Sequence, residues 1–318
     1  MPHVSTTRRR GPLGGGPHRR GPLPAALACL LVVAALALGV WVQFGERQAQ
    51  DTAYTVGGGA PDRVDVLASV QRVDAAGREL TLRVLVTPRG ALAEAGGVSP
   101  TEDLTLQTSP STRGDLSFPA HSRIATRDLP VTLTGGSITD YPFDAYDAAI
   151  EFTAVQGGEK VPVHMTLTNA DALFAATVDA SEENGTALYD VSLGRSDSVL
   201  VFAVFMMVAM WALAVSVFLG AWFLVTGRKG LTWPALGWMA ATLFALAAFR
   251  NTAPGTPPIG CLLDYLAFLW AETVVACCLV AVAVTGFRAE RAEGAERAEG
   301  AKRAEAAGRT EGSAPETA

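Results

Sequence analysis

The sequence predicts a membrane protein of the α+β class: an N-terminal anchor helix, an extracytoplasmic antiparallel β-sandwich-like domain, and a C-terminal block of three transmembrane helices. Three observations predict it. Leu23–Phe44, Val199–Val225, Leu231–Phe249 and Leu262–Val284 are apolar runs almost free of charge, and a helix needs about 20 such residues to cross hydrocarbon. Between the first run and the others, residues 46–197 show short stretches of two-residue alternation broken by Gly, Pro and Asp, which is the pattern of antiparallel strands. Basic residues gather at Arg8, Arg9, Arg10, Arg19 and Arg20, at Arg228 and Lys229, and at Arg288 and Arg291. These sites lie on one side of a four-span path, so the positive-inside rule puts both termini in the cytoplasm and residues 46–197 outside.

Composition narrows the function classes. The chain has 318 residues, 49% of them hydrophobic, and a formal net charge of −6. That charge hides unequal parts: residues 46–197 carry 22 acidic and 11 basic side chains, a balance of 11 − 22 = −11. An acidic domain repels phosphates, which argues against a nucleic-acid partner. The four cysteines are Cys29, Cys261, Cys277 and Cys278, and none falls within residues 46–197. That domain is therefore not stapled by disulfides. Adjacent Cys277 and Cys278 lack metal or redox spacing and read as small packing or lipid-facing residues.

Taken in order, residues 1–22 are rich in Arg, Gly and Pro and are predicted to be disordered and cytoplasmic. The apolar run 23–44 contains Ala35-Leu36-Ala37, which imitates a signal-peptide cleavage site. It continues through Val42, so an uncleaved anchor is the preferred reading over a signal peptide. Gly57-Gly58-Gly59 reads as a flexible link. Strands are predicted over Val64–Val70 and Leu80–Val86, joined by a turn at Ala75-Ala76-Gly77. Further strands are predicted at Leu104–Thr108, Leu116–Ala125, Val131–Thr134, Ala148–Val155, Lys160–Thr168, Ala172–Asp179 and Ala187–Leu193; residues 171–180 also carry a helical alternative. The membrane block, residues 198–286, places Gly237, Ala241 and Ala245 at four-residue steps, a spacing that lets another helix approach closely. Met206, Met207 and Met210 read as adaptable packing. Residues 287–318 are a low-complexity tail of Ala, Gly, Arg and Glu, predicted to be solvated and weakly helical, with a partner-docking helix as the sharper reading.

The most distinctive outer stretch is Gly135–Phe152. Within it Tyr141-Pro142-Phe143-Asp144 predicts a tight turn, with Pro fixing its torsion, Asp144 bonding nearby amides, and aromatic rings, including Tyr146 just beyond, pinning the turn to the sheet. Asp140, Asp144, Asp147 and Glu151 also invite a cation-binding reading, although their spacing is not that of a calcium loop. A third reading is a loop that touches the membrane block.

Inside the membrane block, Glu272 falls near the middle of the last span. A charged group there costs about 2.5–3.5 kcal/mol, so it must be neutral, paired or facing a wet cavity. Asp264 lies near the outer end of that span and Arg250 ends the preceding one. The loop between them holds three prolines and is predicted to bring Arg250 and Asp264 into an ion pair. Arg250, Asp264 and Glu272 are the candidate polar cluster of the membrane block; Glu272 serves either as a structural buried acid or in transport.

These same stretches carry a resemblance. The double strand Val64–Pro88, the YPFDAY turn and the stretch Phe249–Glu272, with Arg250, Asn251, Pro254, Gly255, Pro257, Pro258, Gly260 and Asp264, resemble an uncharacterised bacterial and fungal membrane-protein family, domain of unknown function 4436, over roughly Val64 to Gly286. The resemblance implies a membrane location and no assigned activity. The YPFD turn is also similar to the Phe-Pro-x-Asp turn of pentameric ligand-gated channel ectodomains, where the turn lies near the membrane; here an anchor helix comes first, three spans follow, and Val199–Val225 has Ser216 as its only hydroxyl.

No metalloprotease, nucleophile-elbow or phosphate-loop motif is found in the sequence, and no cofactor or metal site is predicted. The expectation is a non-enzymatic, multi-pass integral membrane protein of the cell envelope. Its partners are the lipid bilayer and a protein or ligand bound by the outer domain, with homo-oligomerisation open. The alternative is a transporter or channel-like subunit that uses Glu272.

Overall fold

The computed structural model describes residues 30, 33, 37, 39–47, 52–95, 97–112, 114–183, 186–227 and 232–311, with side chains to residue 303. The chain divides into two compact units, Met1–Phe44 and Gly45–Ala318. The predicted anchor at 23–44 lies largely outside the described residues, as do residues 1–22 and Cys29; residues 39–47 are helical (α1).

Among the described residues eleven strands form two sheets. The first has the order β1 (Tyr54–Val56), β9 (Val163–Asn169), β2 (Val64–Asp74), β3 (Glu79–Pro88), β6 (Arg127–Thr132). The second has the order β10 (Phe174–Glu183), β11 (Thr186–Arg195), β7 (Ala145–Gln156), β4 (Leu104–Thr108), β5 (Leu116–Phe118), with β8 (Glu159–Val161) paired to β7. Alternation explains the core. Val64, Val66, Ala68 and Val70 of β2 face Leu80, Leu82, Val84 and Val86 of β3, and Tyr146, Ile150, Phe152, Tyr189, Val191 and Leu193 close over them from the second sheet. A bulge between Val70 and Arg72 shifts the inward parity, so that Val73 rather than Arg72 is buried.

Three strand expectations are corrected. The sheets are not wholly antiparallel: β9 returns from the second sheet and inserts beside β2 in parallel. The expected strand Lys160–Thr168 is two strands parted by Pro162, which has no N–H to give to a ladder. The strand expected over Leu116–Ala125 stops at Phe118, before Pro119 and before His121, whose φ is +60°. The segment with a helical alternative is strand β10.

Three helices follow: α2 (Asp197–Thr226), α3 (Trp233–Arg250) and, after a π-helical turn at Asp264–Phe268, α4 (Leu269–Glu311). Among the described residues two helices are long and apolar enough to cross a membrane, α2 and the one starting at Asp264; the 18-residue α3 is not among them. Val199, Ala203, Met206, Met210, Ala214 and Val217 of α2 pack with Ala267, Ala271, Val275 and Val282 along the helix that starts at Asp264. The opposite face of α2 leaves Phe205, Val208, Trp222 and Phe223 uncovered. At the π-helical turn the Trp211 indole N–H donates to the Leu266 carbonyl at 3.1 Å, tying α2 to the bulge.

One further expectation changes. The small stripe Gly237, Ala241, Ala245 is exposed, and α3 instead buries Met239, Thr242, Leu246 and Arg250. The close approach falls at Gly220 of α2, where an added Cβ would lie 3.2 Å from the Trp238 ring. The low-complexity segment continues α4 as helix through Glu311, laced by exposed pairs such as Arg303–Glu299 at 2.7 Å.

Candidate functional site

The site grows from a parity argument. Residues 187, 189, 191 and 193 of β11 point into the core, so the same alternation points Arg195 inward. On β7 the inward set is 146, 148, 150 and 152, and Asp144 continues it. The register pairs Leu193 with Tyr146 and Gly194 with Ala145, so the next row sets Arg195 across from Asp144. The neighbouring register places Phe174 of β10 beside Arg195. Sequence order therefore builds a row Phe174–Arg195–Asp144 at the end of the sheet where α2 begins.

The geometry is tight. Arg195 Nε and Nη2 donate to the two Asp144 oxygens at 2.9 and 2.8 Å. The side chains are 2% and 0% exposed. The guanidinium lies 4.1 Å from the Phe174 ring centre and 5.1 Å from that of Tyr141. Tyr146 donates its hydroxyl to Asp144 at 3.0 Å. Burial, and then the nearby Asp144 carboxylate, raise the Tyr146 hydroxyl above its ordinary pKa. Asp144 therefore does not bond nearby amides, as the turn reading expected; its capacity goes to Arg195 and Tyr146.

Tyr141 faces the other way. The turn leaves Tyr141 fully buried among the helices rather than in the sheet core, while Phe143 is exposed. Its hydroxyl has no hydrogen-bond partner among the described residues, and burial pushes its pKa up to about 12. Its carbonyl accepts the Leu263 N–H at 3.2 Å, next to the second buried pair.

That pair is Arg250–Asp264. Arg250 Nε and Nη2 donate to the Asp264 oxygens at 2.7 and 2.8 Å. Its Nη1 and Nη2 also donate to the Pro257 and Pro258 carbonyls at 3.1 and 2.8 Å. The Gly260 N–H donates to Asp264 at 2.7 Å. One arginine thus ties the end of α3, the proline loop and the start of the last helix. Glu272 lies eight residues on, about 12 Å along the helix, half-buried and without a hydrogen bond or ion pair among the described residues. The two predicted ion-pair members come together; Glu272 does not join them.

The four acids of the turn region do not converge. Asp144 points inward, while Asp147 is exposed and accepts from Ser192 at 2.8 Å. Among the described residues no group of three metal-ligating side chains forms. Arg195 escaped the sequence reading, although a charge at an inward parity position was the signal that marks it.

Residues 54–193 match the family model described as domain of unknown function (DUF4436). The match covers 140 of the 318 residues. Residues 195–289 match a second model, domain of unknown function (DUF8686). The DUF4436 match thus ends before the helices, and Phe249–Glu272 falls in the second match rather than the first. No curated protein matches the chain. Asp144 lies within the DUF4436 match and Arg195 opens the DUF8686 match, so the first buried pair spans the two.

Proposed function

We propose that the protein is a non-enzymatic, multi-pass membrane protein whose outer β domain binds a ligand or partner and whose state is communicated to the helices through the Asp144–Arg195 and Arg250–Asp264 pairs. The reading places residues 46–197 outside the cell, with both termini in the cytoplasm. One observation carries it: two buried, bidentate Arg–Asp pairs lie at the domain–helix junction, linked through Tyr141 and Leu263. Simple tethering needs no such pairs, because burying charges is costly unless the geometry is strict. Hydrogen exchange on the full chain in detergent micelles tests the reading. Asp144→Asn is expected to speed exchange in β7 and β11 and also in the first turns of α2 and in the 251–263 loop. Faster exchange in the strands alone rejects coupling.

A transport or channel-like role through Glu272 is the second reading, supported by its lack of a partner within the described residues. Glu272→Gln is then expected to abolish an ion flux in reconstituted vesicles. An inert wild-type protein removes this reading.

A further inference from the structure

A polar cavity at the junction has no role in the reading above. It holds about 160 Å³ and lies between the end of β2, the segment from Asp171 to Phe174, and Gly255–Thr256 of the loop after α3. Arg195 forms part of its wall. Two of its nitrogens are committed to Asp144, while Nη1 donates to no atom among the described residues. Nη1 faces Gly255, where an added Cβ would lie 2.8 Å away. The side chain is 2% exposed and held over Phe174, so Nη1 presents fixed N–H donors.

The lining also carries acids. Asp171 is 6% exposed and accepts three backbone N–H groups, from Val73, Leu173 and Phe174. A carboxylate has about four acceptor sites, which leaves one for a further donor. Arg72 and Asp74, both exposed, add one charge of each sign to the lining. A bare anion in this cavity meets Asp171 and Asp74, and a bare cation meets Arg195 and Arg72. A molecule carrying both charges finds a partner for each.

We propose that this cavity binds a small zwitterion of the amino-acid class, its carboxylate against Arg195 Nη1 and Arg72 and its ammonium toward Asp171 and Asp74. The inference goes beyond the coupling reading and shares only Arg195 with it. Calorimetric titration of the full chain in detergent micelles tests it, with glycine, alanine and β-alanine as zwitterions, acetate and phosphate as anions, and methylammonium as cation. At least one zwitterion is expected to bind, with acetate, phosphate and methylammonium at least about tenfold weaker. Arg72→Gln is expected to weaken zwitterion binding by a similar factor while leaving the melting temperature unchanged. An anion or the cation binding as well as the zwitterions, no binding by any of the three zwitterions, or an unchanged affinity in Arg72→Gln overturns the proposal. Arg195→Lys is a second variant; if it does not fold, Asp74→Asn supplies the second test and is likewise expected to weaken binding. Helix exchange reports coupling and titration reports the cavity, so either can fail alone.

Discussion

Arg195 and Asp144 occupy facing positions at the ends of adjacent antiparallel strands and close a two-pronged ion pair, at 2.9 and 2.8 Å, in the interior. Replacing the acid strands a buried guanidinium. Asp144→Asn is therefore expected to cost about 3–5 kcal/mol, measured by thermal or urea unfolding in micelles. A cost below about 1 kcal/mol contradicts the assigned role of this pair.

Tyr141 makes the opposite prediction. Its hydroxyl is buried without a partner among the described residues, and an unsatisfied buried group of this kind costs about 1–3 kcal/mol. Tyr141→Phe keeps the ring against Arg195 and removes the penalty. The variant is expected to be as stable as the parent or more so, read from the same unfolding curves. A clear loss of stability shows that the hydroxyl has a partner.

Arg250 reaches an acid, two proline carbonyls and the Cys261 sulfur from one planar head. Lysine keeps the charge but not the fork. Arg250→Lys is expected to lose at least about 1.5 kcal/mol and to expose the 251–263 loop to protease. An undisturbed digestion pattern argues against the clamp.

Asp65 supplies a pH-dependent term. Burial alone raises its pKa, but hydrogen bonds from Arg89 and Arg63 outweigh that effect and hold the carboxyl below its ordinary value. The unfolded chain then binds the proton first as pH falls. The contribution is present above the ordinary carboxylate range, near pH 4, and is lost as pH falls through the lowered native value. Wild type is expected to exceed Asp65→Asn in stability at neutral pH, and the gap is expected to close in acid. A gap that is unchanged or widens in acid rules out this linkage.

Gly136 is held at φ +46°, where an added Cβ would lie 1.9 Å from the Ala145 carbonyl oxygen. Gly136→Ala is expected to cost more than about 1 kcal/mol, again by unfolding. Gly58, with nothing within 4 Å of an added Cβ, is the matched control and is expected to tolerate alanine.

Legibility varied with the kind of signal. Leu104–Thr108 was readable to the residue because its alternation is clean and ends in Ser-Pro. The direction of β9 was not, because two-residue alternation is the same for parallel and antiparallel neighbours. The three-residue β1 has too little pattern to detect; its pairing with β9 only exists once the sheet forms. The Arg250–Asp264 pair was readable because a stiff proline loop joins two short-range positions. Asp144–Arg195 was not, since its partners lie 51 residues apart and only the strand register brings them together. Alternation still marked Arg195 as a charge at an inward position.

The last helix begins beside the Arg250 clamp and runs unbroken for 43 residues from Leu269 to Glu311. At 1.5 Å per residue it is a rod of about 65 Å, so a tilt of roughly 10° at its head sweeps the other end through about 11 Å. A displacement at its head too slight to disturb the strands would be a large one at Glu311.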